Sequence, residues 1–204
     1  MLNVAIFCSG SGSNFQAIVE SINEGYIKEA KISAMVTDNP SCLARERAKQ
    51  LGIATVVVER KDYKSKEDFE KTIIKELGKR NIGLIALAGY MRILSPSFVK
   101  KFKNKILNIH PALLPSFKGT EGIKDALDYG VKVTGSTVHF VDTEMDHGPI
   151  ILQGAVDVKD DDTAESLAPR IHKVEHRIYP EAVKLFVEGK LKIAGRKVII
   201  KGEK

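Results

Sequence analysis

Tryptophan is absent from this chain, and cysteine occurs only at positions 8 and 42. Two cysteines make no disulfide framework of the kind that staples small secreted domains, so a reducing compartment is expected. No stretch approaches the roughly 20 apolar residues that a membrane-spanning helix needs. No basic segment or cleavage site precedes the strand-like residues 2–8, so no signal peptide is expected, and the cytoplasm is the expected location. Aromatics are scarce at 6%, and they do not alternate with the basic residues. The net charge of +6 is spread over many lysines, densest at 100–105 and in the tail from Lys190. No nucleic-acid surface is therefore expected. A mild positive balance suits small anionic substrates such as phosphates and polyglutamates.

What is present is an ordinary globular composition, 43% hydrophobic and 28% charged in 204 residues. That length forms a real core and reads as one domain, 1–204. Apolar runs at 4–8, 32–36, 54–58, 84–88 and 106–109 predict five buried strands. Helix-period segments at 14–23, 43–51, 66–79 and 96–103 fall between them, with Ser65 and Asp68 marking one helix start. Continuous apolar strands separated by helices predict an α/β fold, a Rossmann-like, mostly parallel sheet with helices on both faces. Such sheets bind ligands at the carboxyl ends of their strands. After Pro115 the pattern changes to a loop at 116–122 and a short helix at 123–129. Two strands at 131–141 and 149–158 follow, and the short acidic loop between them makes the pair antiparallel. A long helix at 163–188 contains Pro169 and Pro180 as candidate kinks, and a hairpin around Gly195-Arg196 ends the pattern.

The most informative segment is Asn108-Ile109-His110-Pro111, at the end of an apolar run. Residues two apart on a strand share a face, so Asn108 and His110 project together, and Pro111 ends the sheet. An amide donor beside an imidazole suits a reaction that builds charge on oxygen while moving a proton. The bland alternative is a strand end bonding its own turn. Ser9-Gly-Ser-Gly-Ser-Asn14 joins the first strand to the first helix, where glycines and free N–H groups attract phosphate. No Gly-Lys-Ser/Thr follows, and Phe15 stands in the place of a third glycine, so neither a P-loop nor a full dinucleotide fingerprint is present. Asp38 alone keeps a dinucleotide reading open, and a plain structural turn remains the alternative.

His172-Lys-Val-Glu-His176 matches a zinc-protease spacing, but a zinc site needs a further ligand, and no metal is expected. Asp146 is an ordinary turn carboxylate unless its loop folds over His110, where it would raise the imidazole pKa and orient the ring. His139 either joins that cluster or is satisfied within its sheet.

Taken in order, Ser9–Asn14, Ala88–Pro96, Leu107–Pro115, Gly135–Val141 and Glu175–Pro180 resemble the phosphoribosylglycinamide formyltransferases (glycinamide ribonucleotide transformylases), folate-dependent enzymes of purine synthesis. The resemblance covers nearly the whole chain, to about Gly189. It implies transfer of a formyl group from 10-formyltetrahydrofolate, as co-substrate, to the amine of 5-phosphoribosylglycinamide. Asn108, His110 and Asp146 are then the catalytic group, and Gly12, Ser13 and Asn14 hold the phosphate. Glu175 contacts the ribose, with His172 as a further candidate. Met91, Arg92, Ile93 and Leu94, with Asn108, line the folate pocket, and the 142–146 loop closes it.

This chain departs from its relatives at three positions. Lys66 stands where they often carry a folate-contacting Arg, keeping the charge and losing the bidentate fork. His147 replaces a small residue, and Ile123 replaces a histidine found in several of them. Two other formyl-folate enzymes compete. A tRNA formyltransferase is expected to carry a further nucleic-acid-binding domain, for which 190–204 is too short. A formyltetrahydrofolate hydrolase is expected to carry an N-terminal regulatory domain. A monomer or homodimer acting on two small molecules, without nucleic acid or membrane, is the expectation.

Overall fold

The computed structural model describes residues 1–202. Strand β1, Leu2–Phe7, sets the architecture by alternation: Val4 and Ile6 enter one core cluster, Ala5 and Phe7 the other. All four are fully buried, so β1 is covered on both faces, as its continuous apolar run requires.

Each core face is roofed by helices. Phe15, Ile18 and Val19 of α1 (Ser13–Asn23) and Ala44 and Ala48 of α2 (Leu43–Gln50) pack on the Val4/Ile6 side. Tyr179, Ala182 and Val183 of α6 (Ala164–Val187) join them. The Phe7 side is closed by Phe69, Ile73 and Leu77 of α3 (Lys66–Gly78) and by Phe98 and Val99 of α4 (Pro96–Lys101). Each buried Val, Leu, Ile or Phe side chain among them stabilises the fold by about 1.5–3 kcal/mol relative to its exposed state. Ser65 and Ser95 cap α3 and α4 by accepting from the N–H groups of Asp68 and Phe98.

The remaining strands are β2 (Ala30–Thr37), β3 (Thr55–Val57), β4 (Leu84–Leu87), β5 (Ile106–His110), β6 (Val133–Phe140), β7 (Ile150–Asp157), β8 (Leu191–Ala194) and β9 (Lys197–Ile200). They form one sheet in the order β3-β2-β1-β4-β5-β6-β7-β9-β8. The pairs from β3 through β5 are parallel, whereas β6 runs antiparallel to both β5 and β7. The chain moves outward from β1 to β3 and then resumes on the other side of β1 with β4. That reversal makes the β1/β4 boundary a switch point, where the loops after the two strands diverge and leave a crevice.

Tyr179 fixes the floor of the crevice: its fully buried hydroxyl donates toward the carbonyls of Leu87 (2.8 Å) and Leu107 (3.1 Å), joining α6 to β4 and β5.

The predicted α/β class is observed, and the predicted long helix is α6, with Pro169 and Pro180 inside it, each removing a single ladder donor. Three details differ. The fourth helix stops at Lys101 rather than 103, and a single 3-10 turn, Arg60–Asp62, precedes α3. The terminal hairpin also joins the main sheet, through Ile150 and Lys197 of the parallel pair β7/β9.

Candidate active site

The crevice is a cavity of about 480 Å³. Gly12, Ser13 and Asn14 line one end with Glu175 and His172, while Met91–Leu94 line the other. Asn108, His139 and the 142–146 loop meet between them. Most of the residues singled out from the sequence therefore face one space.

The turn after β1 is shaped by Gly12, which has φ +75° and precedes α1 without a side-chain cap. A Cβ there would lie 2.7 Å from Ala44 Cβ, so both backbone sign and space require glycine. The first N–H groups of α1 are left to face an anion. Arg47 braces the turn from α2, with Nε donating to the Ser11 carbonyl at 2.9 Å. Asn14 Nδ2 donates to Glu175 Oε2 at 2.8 Å, and Ser136 Oγ donates to Oε1 at 3.3 Å. Burial dominates at Glu175 and raises its carboxyl pKa despite those donors. Asn14 Oδ1 is buried and has no hydrogen-bond partner among the described residues.

Strand spacing brings Asn108 and His110 to the same carboxylate. Asn108 Nδ2 lies 3.4 Å from Asp146 Oδ1, and His110 Nδ1 lies 3.5 Å from Asp146 Oδ2. The Gly119 N–H donates to Asp146 Oδ2 at 2.9 Å, so the 116–122 loop also holds the carboxylate. Burial works to raise the Asp146 pKa, but the His139 ring, the Gly119 N–H and the His110 ring outweigh it, and the net shift is downward. Asp146 is ionised at neutral pH.

His110 differs from expectation in two ways. It is only 3% exposed and lies behind Asp146 rather than on the cavity wall. Its pKa is lowered rather than raised, because desolvation outweighs the attraction of Asp146. Nε2 sits 2.7 Å from the Phe117 carbonyl. A carbonyl only accepts, so Nε2 carries the hydrogen and the lone pair of the neutral ring is on Nδ1.

His139 joins the cluster. Its Nδ1 donates to the Phe140 carbonyl at 2.8 Å, which leaves Nε2 to accept from Asn108 Nδ2 at 3.1 Å. That bond fixes which way the Asn108 amide points.

Lys66 stands apart, in a smaller cavity of about 310 Å³ that also touches Arg60, Phe69 and Met91–Leu94. Between the two cavities, Arg92 is paired with Asp38 at the ends of β4 and β2. Asp38 also accepts from Ser9 Oγ at 2.6 Å. It is thus committed to holding Arg92 and Ser9, which accounts for it without a dinucleotide. Ser9, Ser136 and the Phe117 carbonyl were not singled out from the sequence. Ser136 lies within a quoted strand motif, but a backbone carbonyl leaves no signal in residue types.

His172 and His176 lie one turn apart on α6, with ring centroids 6.4 Å apart. Among the described residues, no three His, Cys, Asp or Glu side chains form a group that could hold a metal ion. No helix among them is long and apolar enough to cross a membrane.

The formyl transferase family model matches residues 2–183. A phosphoribosylglycinamide formyltransferase from Bacillus subtilis is 44% identical over 184 residues, spanning 90% of this chain and 94% of that protein. The human trifunctional purine biosynthetic protein adenosine-3 is 43% identical over 190 residues, 93% of this chain but 19% of that larger protein. The crystal structure of glycinamide ribonucleotide transformylase 1 from Symbiobacterium toebii superposes with a TM-score of 0.96 at 44% identity, covering 98% of this chain and 94% of that one.

Proposed function

The chain belongs to the formyl transferase family, and from that premise we propose that it transfers the formyl group of 10-formyltetrahydrofolate to the amine of 5-phosphoribosylglycinamide in purine biosynthesis. The observation that carries this reading is one cleft with an anion-attracting helix start at one end and an apolar wall at the other. Asn108 and Asp146 lie between them. A phosphoribosyl amine and a pterin fit those two ends, so their reacting atoms meet at the carboxylate.

The chemistry follows from what each group can do. The substrate amine attacks the formyl carbon, a C–N bond forms, and the formyl oxygen becomes an oxyanion. Asn108 Nδ2 donates to that oxygen, its direction set by His139; a donor of this kind contributes about a hundredfold to a thousandfold in rate. Asp146, ionised, takes the amine proton through water. His110 Nδ1, 3.5 Å away, carries the lone pair of the neutral ring and can take a proton beside the carboxylate. For His110 to donate to the oxyanion directly, the Phe117 carbonyl must release Nε2. Collapse of the oxyanion breaks the bond to folate N10, which receives the proton.

In this reading Gly12, Ser13 and Asn14 bind the phosphate, and Glu175 accepts from ribose hydroxyls, with His172 beside it. Met91, Arg92, Ile93 and Leu94 enclose the pterin. Lys66 and Arg60, which line the adjoining cavity with Met91–Leu94, would meet the anionic tail of the folate. Residues 1–204 act as one catalytic domain in the cytoplasm, as a monomer or homodimer, on two small molecules. Spectroscopic turnover of 10-formyltetrahydrofolate tests the reading: it should require the ribonucleotide. Equal turnover without it would indicate a hydrolase instead.

A further inference from the structure

Asp146 adopts a left-handed conformation, φ +48°, uncommon for a non-glycine residue and one that Asp enters more readily than most. The loop around it is braced by Asp142. One oxygen of Asp142 accepts from the Glu144 N–H at 3.0 Å, and the other accepts from His147 Nδ1 at 2.7 Å. This cross-bond ties the first and last residues of the loop together. Glu144 lies 4.0 Å from the opposite nitrogen of His147.

The other face of the imidazole is covered from a distant part of the chain. Arg196 Nη1 lies 3.4 Å from both His147 ring nitrogens. Equal distances to the two nitrogens place the guanidinium over the ring face, since an in-plane approach between them would collide with Cε1. Arg196 occupies the turn between β8 and β9. The next residue, Lys197, pairs with Ile150, three residues beyond His147. The hairpin is therefore registered against the strand into which the loop runs.

We propose that His147, held between Asp142 and Arg196, is a positioning residue for Asp146, and that the β8/β9 hairpin acts as a strut for the 142–147 loop. This deepens the formyl-transfer reading and rests on it. His147 itself does not line the cavity. The side chains of His147 and Asp142 are each 35% exposed, so their pairing contributes little to global stability and its loss appears in the loop.

The test compares His147→Ala, Arg196→Ala and the double variant in steady-state kinetics. Each single change should lower kcat and raise the folate KM, with kcat/KM falling about tenfold for His147→Ala, while the ribonucleotide KM stays put. The double variant should be no worse than His147→Ala alone, because both changes remove one contact. His147→Asn, whose amide can donate to Asp142, should recover most of the loss. Hydrogen exchange of the 142–148 amides, read without turnover, should speed up in both Ala variants and not in His147→Asn. Kinetics within about twofold of wild type with unchanged exchange would overturn the proposal. Wild-type protein that formylates no ribonucleotide, with exchange still responding, would remove the formyl-transfer reading and leave the strut.

Discussion

His110 Nδ1 faces Asp146 Oδ2 at 3.5 Å, while the opposite ring nitrogen is held by the Phe117 carbonyl at 2.7 Å. One nitrogen of the imidazole is thus occupied by backbone and the other is placed to take a proton beside a carboxylate. The proposed catalytic group is arranged in depth: Asn108 and Asp146 line the cleft, and His110 is buried behind them.

That arrangement sets the tautomer. In the free protein at neutral pH, His110 should be neutral with its hydrogen on Nε2, and its pKa should lie below the ordinary 6.5. Nitrogen NMR of the labelled imidazole reads this directly. A ring with its hydrogen on Nδ1, or one still protonated at pH 7, contradicts it.

Asp146→Asn keeps the size of the side chain and the acceptor for Gly119 but removes the charge that, in the proposed mechanism, receives the amine proton. Its kcat should fall about a hundredfold or more. Binding of the ribonucleotide, at the other end of the cleft, should persist in calorimetry. His110→Ala should act in the same direction. Near-wild-type kcat in Asp146→Asn would remove that carboxylate from the mechanism.

Glu175 gives a pH signature in stability. Burial raises its folded pKa above the ordinary 4.5, so between those two values the folded chain binds more protons than the unfolded chain. The stability that this group contributes is fully present below pH 4.5 and is lost as pH rises through the folded value. Denaturant unfolding of wild type and Glu175→Gln across that range should show their difference shrinking in wild type's disfavour as pH rises. A difference independent of pH would mean that the carboxylate is not desolvated.

Tyr179→Phe deletes the only side-chain group that α6 places against both the Leu87 and Leu107 carbonyls among the described contacts. Unfolding free energy should drop by about 1–2 kcal/mol, measured in urea at constant slope. Because Met91 follows β4 and Asn108 lies within β5, kcat should fall modestly as well. An unchanged midpoint would show that the two carbonyls lose nothing with the hydroxyl.

Much of this was legible in the sequence. The runs that became β1 and β4 are continuous and apolar, as strands covered on both faces require. The two-residue spacing of Asn108 and His110 already placed them together. Asp146 was legible only through the family motif, since a turn carboxylate beside Gly-Pro has no distinctive local signal. Other features depend on contacts that periodicity does not encode. The Phe117 carbonyl over His110 is backbone, β9 joins the sheet through a single residue pair, and Arg196 meets His147 across 49 positions of chain. The lowered His110 pKa required knowing the depth of burial as well as the neighbouring charge. Lys66 lines a second cavity together with Arg60 of the turn Arg60–Asp62, and no apolar pattern announces that turn.

The most direct test follows the formyl carbon itself. The protein is given 10-formyltetrahydrofolate labelled at that carbon together with 5-phosphoribosylglycinamide, and the products are separated and weighed by mass spectrometry. The label should appear on the ribonucleotide amine, one for each tetrahydrofolate released. Label recovered as formate, with the ribonucleotide unchanged, would contradict it.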